Sequence, residues 1–389
     1  MSSAESTAFA LAGTHDNDNV ATYVANRIGF IELQRPRALN ALTPAMIRAL
    51  HAALERWRDD PEVLALLVRS ADPRAFCAGG DIRLMYEAHQ RGDAAAIEQF
   101  FIDEYRLNHA IFTYPKPYLA LLQGVVMGGG MGIAQGAAQT GGLRVVTSST
   151  RMAMPETRIG LFPDVGVSWF LARAPGAIGR YLAVTGESID GASALDAGLA
   201  DVWLDDAHLP ALLHGLKHEP FESGQQMVAY VRRVAAAYGR PEGESSLAQM
   251  KSGIDRHFAL ASVAQIFTSL IAAAEVNETA ETAETAAWAR QTAEAMRERS
   301  PLSMAVSLET VTRARHSSMA QCLRRDLDLT RSTFALGDVI EGIRARIIDK
   351  DNLPRWRFGH IDAVPPDEVA RMFESPWQAA LHPLRALHD

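Results

Sequence analysis

The chain has 389 residues and carries 38 Lys and Arg against 46 Asp and Glu, a formal net charge of −8 at pH 7. That length and a hydrophobic content of 48% are enough for a large core. The negative balance argues against generic binding to nucleic acid or an anionic membrane, so an anionic ligand has to be met by backbone N–H groups or a few Arg. Two cysteines, Cys77 and Cys322, give no disulfide framework and fit a reducing compartment. No apolar run reaches the roughly 18 residues of a membrane span. Residues 1–20 lack the basic and apolar regions of a targeting peptide, and their Ser, Thr, Asn and Asp content predicts a disordered tail. A cytoplasmic protein is the expectation.

In chain order, residues 21–35 read as two short strands around an Asn26-Arg27 turn. A helix follows, with Thr43 as N-cap and Pro44 at its first position. Residues 64–69 read as a buried strand, 93–114 as a helix, and 118–123 as a strand running into Gly124 and Gly128-Gly129-Gly130. Further strands are expected at 143–147, 151–154 and 199–204, with helices dominating elsewhere. Strands alternating with helices in residues 21–215 predict an α/β layer, and residues 216–389 a helical region. A linker is expected at 238–246, and a solvated loop or frayed helix at 279–287.

Four stretches carry candidate chemistry. Phe76 to Asp81 follows a strand, and its small residues let a ligand approach the backbone; a tight turn with Asp81 as helix cap is the structural alternative. Gln123 to Gly132 places three consecutive glycines between a strand and a helix, where exposed N–H groups stabilise developing negative charge. Close helix–strand packing would equally call for glycine. Neither the dinucleotide nor the P-loop spacing is present. Met154 to Gly166 holds Glu156 and Asp164 in an apolar, Gly- and Pro-rich context, where two carboxylates can split acid and base roles. The alternative is a loop charge and a helix cap. Lastly, Glu104 falls on the apolar stripe of Ile97, Phe100, Phe101, Leu107 and Ile111, a costly place unless it is paired or lines a polar cavity. His208, His214 and His218 have no recognisable zinc spacing.

In their order and approximate spacing, Phe76–Asp81, Gly128-Gly129-Gly130 and Pro155-Glu156 resemble the crotonase (enoyl-CoA hydratase/isomerase) superfamily. Residues 35–42, 77–83 and 154–166, with Ser300-Pro301-Leu302-Ser303 and Glu341 to Asp351, narrow the resemblance to its branch of 3-hydroxyisobutyryl-CoA hydrolases. The resemblance covers about Thr22 to Trp356. It implies an α/β fold, a crotonase-like ββα spiral core with a helical C-terminal extension. It also implies an acyl-CoA substrate, a place in valine degradation, and no bound cofactor or metal, since coenzyme A is part of the substrate. Family members often form trimers and hexamers, which leaves a homo-oligomer open.

By position, the resemblance assigns the N–H groups of Gly80 and Gly129 to an oxyanion hole, Glu156 to the catalytic glutamate, and Asp164 to the aspartate marking the hydrolases. Glu104 becomes a substrate contact, and Ala38, Ala78 and Asp81 lie where coenzyme A binds. Hydratases place a second glutamate two residues after the triple glycine; here Gly132 stands there. Two other departures, Gln123 where many relatives have His and a long 135–142 segment, bear on substrate choice. A lyase or isomerase of the same superfamily, and a non-catalytic CoA-binding protein, are the alternatives.

Overall fold

A computed structural model of the chain describes residues 14–17, 19–241, 243–275 and 280–389, without the side chains of 14–17 and 280–282. Of the expected tail, residues 1–13 and Asp18 lie outside the described residues. Thr14–Asn17 instead form an edge strand, β1, antiparallel to β2 (Val20–Ala25). The turn after β2 uses Asn26 and Arg27 with φ of 49° and 61°. Two successive positive φ values match the right-handed twist of a hairpin and return the chain as β3 (Ile28–Leu33).

The chain then lays strands alternately into two sheets. β4 (Ala65–Ser70), β6 (Tyr118–Leu122), β8 (Leu143–Thr147) and β11 (Val202–Leu204) join β1–β3 in a seven-stranded sheet of order β1-β2-β3-β4-β6-β8-β11. β5 (Ala75–Cys77), β7 (Val125–Met127), β9 (Arg151–Ala153) and β10 (Ile189–Asp190) form a smaller sheet of order β10-β9-β7-β5. β4, β6 and β8 of the first sheet are each followed by a short strand of the second and then by helix, which is the expected ββα spiral. Sequence reading missed β5 and β7, three-residue strands too short to show a period.

Helices α1 (Pro44–Arg58), α2 (Ile82–Gln90), α3 (Ala94–Phe112), α4 (Gly129–Gln135), α5 (Val167–Leu171), α6 (Ile178–Thr185) and α7 (Gly191–Asp196) complete the spiral. After them come α8 (Leu209–His218), α9 (Gly224–Tyr238), α10 (Ser246–Gln249), α11 (Lys251–Phe258), α12 (Val263–Ala274) and α13 (Ala280–Arg297). The last are α14 (Pro301–Ala314), α15 (Met319–Leu336), α16 (Val339–Ile343) and α17 (Pro366–Met372). Of the solvated loop or frayed helix expected at 279–287, Thr279 lies outside the described residues and residues 280–287 belong to α13.

The central strands are mostly apolar on both sides because both faces of the large sheet are covered. Phe30, Leu67, Leu119, Leu121 and Val145 face one core with Leu212 and Leu216 of α8 and Met227 and Val231 of α9. Their neighbours Ile31, Leu66, Val68, Ala120 and Val146 face the main core with α1 and α3. The expected junction at residues 215/216 falls inside α8, and α9 beyond it still packs on the sheet. A third cluster joins Leu161 and Phe162 to Leu302, Val306, Leu329, Val339 and Ile343, fastening the C-terminal helices to the loop after β9. No described helix is long and apolar enough to cross a membrane.

Candidate active site

Three adjacent parallel strands of the small sheet end at one place. Gly80 follows β5, Gly129 follows β7 and Glu156 follows β9, and β7 is the middle strand of the three. Parallel strands point their carboxyl ends the same way, so the residues just beyond them converge. Gly79 (φ 111°) and Gly128 (φ 50°) supply the turns that aim the next N–H outward, at angles that β-carbon-bearing residues rarely adopt. Neither the Gly80 nor the Gly129 N–H donates to an acceptor within the described residues. A Cβ at Gly129 would stand 3.3 Å from Gly80 N and would collide with Glu104 Oε1. A Cβ at Gly128 would stand 2.9 Å from Glu156 Oε1. Two unengaged N–H groups and two carboxylates therefore surround one small volume.

The Arg35–Leu42 loop is bonded along the other side. Ala78 N–H donates to Leu39 O, Leu42 N–H to Gly79 O, and Asp81 N–H to Leu42 O. Buried Asn40 donates to Ser70 Oγ at 2.7 Å and to the carbonyls of Ala75 and Phe76. This brings half-buried Ala38 and Ala78 together at the rim. Asp81 stands at the N-terminus of α2 but makes no side-chain cap; its carboxylate accepts from Arg35 Nη2 at 2.7 Å and clamps the loop.

The carboxylates lie deeper: Glu104 is 2% exposed, Glu156 6% and Asp164 4%. The bland alternatives for these residues do not describe what the structure places there. Among the described residues Glu104 has no salt bridge and its Oε1 no hydrogen-bond partner. Glu156 opens a 3-10 turn (Glu156–Ile159) with Oε2 unpartnered. Asp164 caps nothing with its side chain, which accepts from Tyr105 Oη at 2.6 Å. Asp326 of α15 is a fourth buried acid; it accepts the Gly166 N–H at 2.8 Å and leaves Oδ1 unpartnered.

Among the described residues no Lys or Arg forms an ion pair with any of the four, so nothing offsets their burial and each holds its proton unusually tightly. Burial, then Asp164, pushes Glu104 well above the usual carboxylate range. Glu156 rises for the same two reasons, with a smaller contribution from Glu104. Burial raises Asp164 to about 6, against the Tyr105 hydrogen bond and its backbone contacts. Asp326 is raised by burial and then by Asp164. Such a cluster is a set of acids and bases poised far nearer neutrality than exposed carboxylates.

Gly132, two residues beyond the triple glycine, lies against two side chains. A Cβ there would stand 2.7 Å from Val165 Cβ and 2.9 Å from Asn108 Nδ2. The volume that a second glutamate would need is filled. Asn108 was not singled out from the sequence, yet both of its buried amide atoms lack partners. It lies one turn after Glu104 on the same core-facing side of the helix, a polar residue on an apolar stripe as Glu104 is. Tyr105, Asp326 and Thr330 were likewise missed; Asp326 and Thr330 interrupt an apolar stripe of Met319, Cys322, Leu323 and Leu327.

The two sequence departures lie elsewhere. Gln123 bonds Asp206 at 2.8 Å, and Gln135 bonds Leu199 O and Arg144. His214 and His218 stack on each other along α8, and His208 stacks on Tyr238.

The family model described as enoyl-CoA hydratase/isomerase matches residues 28–373. The mitochondrial 3-hydroxyisobutyryl-CoA hydrolase of Xenopus tropicalis is 35% identical over 351 residues, spanning 89% of this chain and 86% of that protein. The Homo sapiens protein of the same name is 33% identical over 349 residues, with the same coverage. Among solved structures, an enoyl-CoA hydratase from Rhodobacter sphaeroides 2.4.1 superposes with a TM-score of 0.80 at 37% identity, covering 96% of this chain and all of that one. A carnitinyl-CoA dehydratase from Mycobacterium thermoresistibile gives 0.80 at 33% identity, covering 92% and 97%.

Proposed function

The chain belongs to the enoyl-CoA hydratase/isomerase, or crotonase, family of acyl-CoA enzymes, and from that premise we propose that it hydrolyses the thioester of a short β-hydroxyacyl-CoA, with 3-hydroxyisobutyryl-CoA of valine degradation as the leading substrate. The observation that carries the choice of hydrolysis is at Gly132. Adding water across a C=C bond uses two glutamates flanking one water, and Val165 and Asn108 fill the place of the second. Thioester hydrolysis needs only an oxyanion hole, one base or nucleophile, and a proton for the leaving group. All three have candidates here.

In this reading coenzyme A enters past Ala38 and Ala78. The thioester oxygen accepts from the N–H groups of Gly80 and Gly129. Attack at the carbonyl carbon moves the C=O π electrons onto that oxygen; losing one such donor typically costs about 3 kcal/mol in barrier. Glu156 either takes the proton of an attacking water or attacks directly to form an anhydride that water then opens. Collapse of the oxyanion expels the thiolate, which takes a proton, giving the free acid and the thiol of coenzyme A. Asp164 handles proton traffic at this step. Glu104 and Asn108, with unpartnered polar atoms one helical turn apart, receive the β-hydroxyl.

The test is free-thiol release from (S)-3-hydroxyisobutyryl-CoA by wild type and Glu156→Gln. Release by wild type, reduced about 10²- to 10⁴-fold in a folded mutant, supports both the reaction and the role of Glu156. The solved relatives are named as a hydratase and a dehydratase, which makes crotonyl-CoA the necessary control. Its hydration, without thiol release from 3-hydroxyisobutyryl-CoA or 3-hydroxypropionyl-CoA, would replace the hydrolase reading with a lyase.

A further inference from the structure

Asp164 differs from the other buried acids in what surrounds it. Its Oδ2 is 2.6 Å from Tyr105 Oη of α3, and Tyr105 Oη is 2.9 Å from Thr330 Oγ1 of α15. Thr330 Oγ1 is in turn 2.7 Å from the carbonyl oxygen of Asp326, one helical turn back. All of these residues are buried. The chain ends on a carbonyl, which can only accept, and begins on a carboxyl, which can accept or donate.

Between such ends the Thr330 hydroxyl donates to the carbonyl throughout, while the Tyr105 hydroxyl can point either way. With Asp164 ionised, Tyr105 donates to it and Thr330 donates to the Asp326 carbonyl. With Asp164 protonated, Asp164 donates to Tyr105, Tyr105 to Thr330, and Thr330 to the carbonyl. Every proton has an acceptor in both states, which differ by the proton on Asp164 and a rotation of the Tyr105 hydroxyl. Glu104 and Glu156 have no such device among the described residues, where each keeps an oxygen without a partner. The turn carrying Asp164 is also held from α15. Val165 has φ 53° and Gly166 φ 72°, and Asp326 Oδ2 accepts the Gly166 N–H. A left-handed conformation at a β-branched residue persists only where its surroundings hold it.

We propose that Tyr105 and Thr330 are positioning residues that let Asp164 both hold and release a proton inside the closed site, so that α15 of the C-terminal region completes the proton-handling apparatus. This deepens the hydrolase reading and rests on it for the role of Asp164 in turnover. The charged and titratable groups around Asp164 are Glu104 and Tyr105 from α3, Glu156 from the turn after β9, and Asp326 from α15, with Arg325 acting on Asp326. None of the acids carries a cation that would fix Asp164 in one state.

The two hydroxyls make opposite predictions. Tyr105→Phe removes the donor to ionised Asp164, so its proton should be held more tightly. Thr330→Val leaves that donor but strands the Tyr105 proton when Asp164 is protonated, so the proton should be released more easily. Infrared difference spectra across pH on the full-length protein read this directly, through the carboxylic-acid C=O band that Asp164→Asn removes. The expected midpoint moves up in Tyr105→Phe and down in Thr330→Val, each by about one pH unit, and returns to the wild-type value in Thr330→Ser. In thiol release, Tyr105→Phe should lower kcat about tenfold or more with KM nearly unchanged. Midpoints that stay put, or that move the same way in both variants, would overturn the proposal. Should Tyr105→Phe not fold, Thr330→Val against Thr330→Ser decides it alone. A wild type that releases no thiol would remove the hydrolase reading, while the band titration would still decide the hydroxyl chain.

Discussion

At the scale of single residues, the site is defined as much by missing side chains as by present ones. Gly132 is the clearest case. Restoring a hydratase-like carboxylate with Gly132→Glu should give no hydration of crotonyl-CoA, because Val165 and Asn108 already occupy the volume. Overpacking of this kind costs roughly 1–3 kcal/mol or more, so the urea midpoint should fall as well. Efficient hydration by a stable Gly132→Glu protein would remove the steric basis for choosing hydrolysis. A second prediction separates the two routes open to Glu156. One turnover in oxygen-18 water should leave label in the Glu156 carboxylate if an anhydride forms, and none there if Glu156 only activates water; peptide mass analysis distinguishes them. The residues themselves were legible to different degrees. Gly80, Gly129, Glu156 and Asp164 could be placed from ordered motifs, and Glu104 from its position on an apolar stripe. Tyr105 could not, because an aromatic on a core-facing stripe looks the same whether or not its hydroxyl bonds a carboxylate. Asp326 and Thr330 belong to a helix more than 150 residues away in sequence from Asp164, and no local pattern connects them.

Among the elements, the loop after β9 is held by helices from the far end of the chain. Ser300 caps α14, accepting from the Ser303 N–H, while its own N–H donates to Thr157 O, next to Glu156. Its Oγ also donates to Asp338 at 2.6 Å. A Cβ at Gly342 of α16 would collide with the carbonyl of Ile159, so that helix lies directly on the same loop. The stretches Ser300 to Ser303 and Glu341 to Asp351 stand out in the sequence, but their purpose becomes visible only in this packing. Ser300→Ala should cost about 1–2 kcal/mol from the lost cap. Alanine keeps the Ser300 N–H that anchors the Glu156 turn, so thiol release should fall only as far as the weakened cap lets that anchor shift, with kcat affected more than KM. A stability loss with unchanged kcat would separate the cap from the site. The long strands and helices were readable because their apolar runs have the right period. The short strands β5 and β7 were not, although Gly80 and Gly129 lie just beyond them, since three residues show no period and their pairing is entirely tertiary.

For the whole molecule, the buried acids set a characteristic dependence of stability on pH. Glu104, Glu156, Asp164 and Asp326 all hold protons more tightly folded than unfolded. Between the unfolded and folded values the native state therefore binds more protons than the unfolded chain, and stability falls as pH rises. Their contribution is full below the unfolded carboxylate range and is lost as pH climbs through the raised folded values, about 6 for Asp164. Paired surface acids act in the opposite sense. Asp255, with Lys251 and the Ala177 N–H, and Glu341, with Arg344, are held low; they stabilise above the unfolded range and lose that contribution as pH falls. For Asp164, a rise from 3.8 to about 6 corresponds to on the order of 3 kcal/mol between acid and mildly alkaline solution. Asp164→Asn keeps an acceptor for Tyr105 and removes the charge that also raises its three neighbours. It should be more stable than wild type at pH 8, by about 1–3 kcal/mol, with the gap closing by pH 5. Urea unfolding at the two pH values measures this. A mutant that is less stable at both, by the same amount, would mean that ionised Asp164 is well satisfied where it lies. The expected direction, greater stability with less activity, is that of a site whose charges serve turnover at the expense of the fold.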